Sequence, residues 1–151
     1  MGTKNNEYKS NQIDRLRKWC IIVTDFIASL LEDKSLIKNQ YDIIDTLYQK
    51  RDKKGFETVF NDLNEWALSL SQDNIGNLNL ILINSFGKGL HEVNNKSMRK
   101  IDSIIKKGLV KNENEFRIIE NRVNELSQMN SSSEEINYLN NLLLKYRSLV
   151  V

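Results

Sequence analysis

The stretch KKGLVKNENEFRIIENRVNEL, residues 106–126, contains the end of one helix and the start of the next. Two lysines precede Gly108, and cations followed by glycine are favoured where a helix ends. Asn112 and Glu115 have the spacing of a capping box, in which a polar side chain and a later acid stabilise a helix start. The apolar side chains beyond them repeat at helical steps: Phe116, Ile119, Val123 and Leu126. The stretch therefore predicts a short turn between two amphipathic helices.

A further helix of similar length follows. Residues 130–135, with the sequence NSSSEE, form a short polar turn. Beyond this turn the apolar side chains again recur at steps of three and four: Ile136, Leu139, Leu143, Tyr146 and Val150. Two helices of matched length that are joined by a few polar residues fold back on each other. We expect an antiparallel helical hairpin over about 112–150.

The whole chain has a helical composition. Its 151 residues include no proline and only six glycines, the two residue types that most weaken helix interiors. Apolar periodicity predicts five helices before the hairpin, at 11–32, 34–52, 56–71, 73–93 and 95–107. We expect an all-α fold, a single-domain bundle of six or seven helices over 11–151, after a disordered or frayed segment at 1–10.

Two details of this bundle follow from local patterns. In the helix at 34–52, Leu36, Ile43 and Leu47 are expected to widen the buried stripe, and Gly55 is expected at its C-terminal cap. Residues 73–93 alternate partly like a strand, but a lone strand leaves its backbone groups unpaired. We therefore expect a helix that is apolar on most sides, central in the bundle, and ends near Gly87 or Gly89.

The first helix bears on the cellular compartment. Its apolar side chains again form one seam: Ile13, Leu16, Cys20, Val23, Ile27 and Leu30. One seam predicts an amphipathic helix rather than a secretion signal, which would be apolar all round. No apolar stretch approaches the ~20 residues that cross a bilayer. Cys20 is the single cysteine, so we expect no intrachain disulfide and a buried, unreactive thiol. These features predict a cytoplasmic protein with no membrane partner.

Residues that could carry catalysis or bind a metal are sparse. His91 is the only histidine, and its nearest acid, Glu92, points about 100° away on a helix, so the two side chains do not chelate one metal. Acidic pairs such as Asp42 with Asp45 are typical of solvated helix faces. We expect no metal, no cofactor and no catalytic residue, with His91 at a helix end and dispensable. A helical enzyme with an unrecognised site is the third functional hypothesis.

Residues 96–111 are strongly basic. Asp102 is their only acid, against six cations: Lys96, Arg99, Lys100, Lys106, Lys107 and Lys111. Such a segment can contact phosphates, so these six are the predicted nucleic-acid-binding residues of an alternative hypothesis. A DNA-binding helix–turn–helix would enter the groove with the start of its second helix, where Glu113 and Glu115 would repel DNA. The alternative is therefore an electrostatic patch and not a groove-binding motif.

The leading hypothesis concerns the last helix, at 134–150. Its apolar residues occupy more than one stripe, while a hairpin partner buries about one face. Tyrosine and arginine, which dominate interface energetics, lie near its end. We predict protein-binding residues Leu142, Tyr146 and Leu149 in a non-catalytic protein that binds another protein or a second copy of itself. Size and composition favour a small bacterial neutraliser of the immunity or antitoxin type, or an adaptor.

Overall fold

The structure is a computed structural model that describes residues 2–150 and the side chains of residues 11–149. The described chain forms eight α-helices and contains no strand. In chain order they are α1 Gly2–Leu30, α2 Ser35–Lys50, α3 Lys53–Leu68, α4 Gln72–Phe86, α5 Leu90–Val93, α6 Asn95–Lys107, α7 Glu113–Gln128 and α8 Ser133–Val150. The predicted all-α fold is confirmed, and the helix beyond the expected number is α5, a single turn.

The helices group into two compact units, Met1–Ser69 and Leu70–Val151. The prediction of a single domain over 11–151 stays a prediction. The predicted disordered segment at 1–10 falls on residues whose side chains lie outside the described ones, so it also stays a prediction.

In the first unit, α1 packs against both α2 and α3. The predicted seam of α1 is buried at Ile13, Cys20, Val23 and Ile27, half-buried at Leu16 and exposed at its last member, Leu30. Cys20 lies inside this seam, and burial raises the pKa of its thiol to about 12. A thiol with that pKa stays protonated at neutral pH, which makes it a poor nucleophile. The buried polar contact of this unit joins Trp19 Nε1–H to the Asn64 side-chain oxygen at 2.7 Å.

Two predictions about α2 are wrong. Its buried side chains are Ile37 and Ile44, whereas Leu36 and Ile43 are exposed on the neighbouring stripe, because α1 and α3 cover one face of the helix. The helix also ends earlier than expected. Arg51 takes the left-handed conformation with φ 53°, and Asp52 immediately caps α3 by accepting a hydrogen bond from the Gly55 N–H at 3.0 Å.

Gly55 therefore lies in the first turn of α3. A Cβ placed there would approach the Leu47 Cδ2 atom to 2.3 Å. The glycine is needed for this close approach between α2 and α3, and not for a positive φ.

The second unit contains the predicted hairpin, because α7 packs along α8. Asn112 accepts a hydrogen bond from the Glu115 N–H at 2.9 Å, and Glu115 reaches back to the Lys111 N–H at 2.9 Å. Gly108 ends α6 with φ 73°. The core of this unit joins α6, α7 and α8 through Ile101, Ile104, Val110, Phe116, Ile119, Val123, Leu126, Leu139 and Leu142. The local signals around the opening stretch are thereby confirmed.

α4 confirms the helical interpretation of its segment, and Gly87 ends it in the left-handed conformation with φ 75°. The helix carries apolar side chains on more than one side, but the expectation that it is central in the bundle is wrong. One face, with Ile75, Leu78 and Leu82, is buried, and the helix packs on α7. Leu80 and Ile81, on the other side, are 46% and 43% exposed.

Candidate functional site

The first candidate site is a buried polar cluster around the single-turn helix α5. Such a helix leaves its first N–H groups without intrahelical partners. Asn79 of α4 accepts the Leu90 N–H at 2.8 Å, and Glu125 of α7 accepts the N–H groups of His91 and Glu92 at 3.0 and 2.9 Å. Side chains from two other helices therefore cap α5.

The Glu125 carboxylate is fully used by these contacts. One oxygen accepts from the His91 N–H and, at 3.4 Å, from the Asn79 amide; the other accepts from the Glu92 N–H and, at 3.1 Å, from Arg122. Four donors match the acceptor capacity of an ionised carboxylate. Burial raises the pKa of Glu125, although the two backbone N–H groups and the charge of Arg122 act in the opposite direction.

Arg122 links the cluster to its second acid. Its Nη1 atom lies 2.8 Å from Glu92 Oε2 and 3.1 Å from Glu125 Oε1, and the Arg122 side chain is itself almost fully buried. Buried charges persist only when they are paired and hydrogen-bonded. This pairing explains how one cation and one fully enclosed acid are accommodated inside the unit.

His91 lies in the single turn α5, shortly after the end of α4, and its side chain is buried in the same cluster; that it is dispensable stays a prediction. Its Nδ1 atom contacts the Ser97 hydroxyl, and its Nε2 atom is enclosed. Burial, reinforced by the charge of Arg122, lowers the pKa of His91 to about 4. The ring is therefore neutral at pH 7.

Gly89 lets the cluster close. A Cβ at this position would lie 2.6 Å from Glu125 Cδ and 2.9 Å from the Asn79 oxygen. Both Glu125 oxygens, and the space that a side chain at Gly89 would need, are thus occupied by the protein itself. These contacts hold residues 87–94 against α4 and α7. Both oxygens of Glu125 are already hydrogen-bonded to groups of the protein.

This cluster was missed by sequence reasoning. Arg122 and Glu125 have an i, i+3 spacing on α7 next to the apolar stripe, which is the same spacing that solvated ion pairs have. Their partners lie 33 and 34 residues away along the chain. No local pattern distinguishes a buried pair from an exposed one, so periodicity alone does not find it.

The six predicted nucleic-acid-binding cations are all exposed. Lys96, Arg99 and Lys100 share the face of α6 opposite the buried Ile101 and Ile104. Lys107 lies 3.8 Å from Glu115, so its charge is partly balanced. Lys106 and Lys107 follow Arg99 and Lys100 by seven residues and so lie on the same side of the helix, whereas Lys111 lies beyond its end; the structure therefore brings five of the six to one side of α6.

The three predicted protein-binding residues are divided by the structure. Leu142 belongs to the core of the second unit, so its place on an accessible surface is wrong. Tyr146 is half-buried, and its ring lies 5.4 Å from that of Phe116. Leu149 is 83% exposed. Whether Tyr146 and Leu149 contact a partner stays a prediction.

The outer face of α8 forms a second candidate site. No charged residue occurs between Glu135 and Lys145. Five side chains in that interval are exposed, namely three asparagines, one tyrosine and one leucine: Asn137, Tyr138, Asn140, Asn141 and Leu144. Leu144 is 67% exposed. We call these five residues the α8 outer face.

Among the described residues, no three or more histidine, cysteine or acidic side chains are placed to share a metal ion. None of the described helices combines the length and the apolar character that crossing a bilayer requires. Comparison of the chain with protein-family models, curated proteins and solved structures finds no match.

Proposed function

We propose that the protein is non-catalytic and acts by binding another protein through the α8 outer face. The observation that carries this proposal is an exposed helix face that lacks charge and presents Leu144. Charged residues make up 28% of the chain, yet none of the five exposed side chains of the α8 outer face is charged. The cores of protein interfaces are likewise depleted in charge.

Folding does not require this face. The inner side of α8 already supplies Leu139 and Leu142 to the core. Removing apolar surface from water stabilises a complex by roughly 25 cal/mol per Å², and an exposed leucine gains nothing from it until a partner binds. The amides of Asn137 and Asn141 both donate and accept hydrogen bonds, which suits them to surround an apolar contact.

Leu149 is a separate exposed side chain near the end of α8, seven residues after Leu142 and on a different side of the helix from Leu144. Because Leu149 is exposed, it is accessible to a partner, which supports its predicted role as a protein-binding residue. In biological terms, we propose a bacterial cytoplasmic neutraliser of the immunity or antitoxin type, or an adaptor. The small size of the chain and its buried single thiol support this assignment.

Site-specific crosslinking tests the proposal. A photoreactive benzoylphenylalanine replaces Leu144 in the native host, and the same residue replaces Leu36 as a matched control, since these leucines are 67% and 68% exposed. Leu36 lies close to the charged Lys34 and Lys38. We expect a discrete crosslinked product from position 144 and none from position 36.

A second variant makes the result specific. With the photoreactive residue at Asn141, Leu144→Asp should remove the product, because a buried aspartate would lose its hydration without a partner. No product from position 144, or equal products from both leucine positions, would overturn the proposal.

The second candidate function is electrostatic binding of nucleic acid by α6. The observation that favours it is the shared exposed face of Lys96, Arg99 and Lys100. Changing all three to glutamate should abolish binding to random duplex, while the matched triple change of Lys38, Lys50 and Lys54, also exposed, should not. Contacts to about three phosphates give a log–log salt slope near −3. Absence of binding at low salt contradicts this function.

A further inference from the structure

α4 presents a second exposed face that the core does not use. Asp73, Asn77, Leu80, Ile81 and Asn84 are all exposed, and a period of 3.6 residues places them on one side of the helix. We call these five residues the α4 outer face. Its centre is apolar, because Leu80 and Ile81 are 46% and 43% exposed.

The opposite side of α4 is complete without them. Ile75, Leu78 and Leu82 are buried, and Asn79 is engaged with Leu90 and Glu125. The exposed pair is therefore not needed for packing on α7 or for capping α5. Leu80 and Ile81 are adjacent aliphatic side chains that leave apolar surface in contact with water. A second surface that covered them would remove this area from water and so stabilise a complex.

The residues of this face are spaced symmetrically about its centre, with unlike charges at the two ends. An acid, Asp73, lies in the first turn of α4, and a base, Lys88, directly follows the Gly87 cap; both are exposed. Asn77 and Asn84 lie inside these charges at equal distances from the centre, which is the Leu80–Ile81 pair. A face with this order is complementary to itself when two copies run antiparallel.

We propose that a second copy of the chain covers the α4 outer face, through an antiparallel two-fold pairing of α4 with α4 of the partner. Leu80 then packs on Ile81 of the partner subunit, Asn77 meets the partner's Asn84, and Asp73 lies opposite the partner's Lys88. Each contact occurs twice, as in every isologous interface. A partner with a different sequence would not require this face to carry an acid at one end and a base at the other.

Amide pairing adds to the complementarity. Each asparagine side chain has donors and an acceptor, so Asn77 and Asn84 of the partner can exchange hydrogen bonds across the axis. The face of one helix of 15 residues is smaller than the ~800 Å² per partner of a standard interface. The association is accordingly weak, with a dissociation constant of roughly micromolar or above.

Sedimentation of the full chain tests the pairing. The wild type should pass from monomer to dimer as its concentration rises to about 1 mM, the range that a weak interface demands. Leu80→Lys should raise the dissociation constant about tenfold or more, because two central apolar contacts are lost and two cations meet. Leu109→Lys is the matched control, since Leu109 is 51% exposed and lies outside α4; it should leave the equilibrium unchanged.

A charge exchange tests the antiparallel register. Asp73→Lys and Lys88→Glu each place like charges opposite one another in a homodimer, so each variant alone should dimerise less than the wild type. Mixed together, they restore unlike pairs at both ends and should form a heterodimer. Circular dichroism checks that each variant is folded, because Asp73 lies in the first turn of α4.

The dimerisation measurements distinguish the pairing of α4 from the proposed function, which uses α8. A wild type that stays monomeric at about 1 mM overturns the pairing. A dimer that Leu80→Lys does not weaken, or variants that fail to pair when mixed, overturn it as well. Leu144→Asp should leave the dimer unchanged; if Leu144→Asp alone dissociates it, the second copy binds to α8 and not to α4.

Discussion

The two units bury polar groups in opposite ways. In the first unit, the buried contact is a neutral hydrogen bond between Trp19 of α1 and Asn64 of α3. In the second, charged Arg122 and Glu125 are enclosed with His91 and cap the backbone of α5. Apolar packing tolerates changes of shape, whereas a buried charge depends on each of its partners. The second unit should therefore be the more sensitive to single polar changes.

Glu125→Ala is expected to have the largest effect. It leaves two N–H groups of α5 without their acceptor and the buried Arg122 with Glu92 as its remaining partner, at a cost of about 3–5 kcal/mol in the free energy of unfolding. Denaturant unfolding gives this value, and hydrogen exchange should place the loss in the second unit. Exposed Glu65→Ala is the control and should change stability little. A loss below about 1 kcal/mol would contradict the comparison.

Leu63→Ala tests the apolar counterpart in the first unit. Leu63 is buried, so its truncation should cost about 2–5 kcal/mol through lost transfer free energy and the remaining cavity. The exposed Leu36→Ala should stay within about 0.5 kcal/mol of the wild type. Equal effects of both changes would mean that the α3 face is not core.

Acid should affect the second unit through His91. The pKa of His91 falls from 6.5 to about 4 in the folded state, so the unfolded chain takes up its proton first. Stability is then full above pH 6.5, falls as the pH approaches 4, and loses about 3 kcal/mol in total. The raised pKa of Glu125 acts the other way, because its protonation on acidification favours the folded state.

The contribution of His91 is isolated by a variant. In His91→Asn the amide does not titrate, so unfolding measured from pH 7 to pH 4 should lose the histidine part of the slope. The charged groups around the ring, Arg122, Glu125 and Glu92, remain in place. Parallel pH profiles for the two proteins would show that His91 does not contribute.

A pair of glycines gives the smallest effects. Gly89→Ala brings a methyl group against Glu125 and Asn79, and overpacking of this kind costs about 1–3 kcal/mol. Gly76 lies inside α4 with no neighbour within 4 Å, so Gly76→Ala should stabilise the protein by about 0.5–1 kcal/mol. Thermal unfolding distinguishes the two signs, and a stabilising Gly89→Ala would mean that the cluster is loosely packed.

The difference between the two units also explains which features could be predicted from the sequence. Local patterns are sufficient where the determinant lies within a few residues, as for the Asn112–Glu115 cap, the left-handed Gly108 and the buried stripe of α7. They are insufficient where burial depends on a distant helix. The exposure of Leu36, the enclosure of His91 and the four bonds of Glu125 depend on which faces meet, and helical periodicity does not encode that choice.

The candidate sites show the same difference between features set by local patterns and features set by contacts with distant helices. The six cations of 96–111 were found because exposure follows from charge, and Leu149 was found because it lies off the main stripe. Leu142 was misplaced, since two neighbouring apolar stripes on α8 differ only in which one the core accepts. Leu80 and Ile81 belong to a segment that was expected to be central in the bundle because it is apolar on most sides, and apolar character alone does not show which side another helix covers.

The capping of α5 by α4 and α7 also sets an order of assembly. The α7–α8 hairpin closes a short turn, so its contacts form at little cost in chain entropy. The N–H groups of His91 and Glu92 find their acceptor only across a separation of more than 30 residues. α5 is therefore expected to acquire its structure after α7 has docked on α4, and to be the first part of the second unit to open. In the transition state for folding, its contacts should be largely absent, so weakening them speeds unfolding rather than slowing folding.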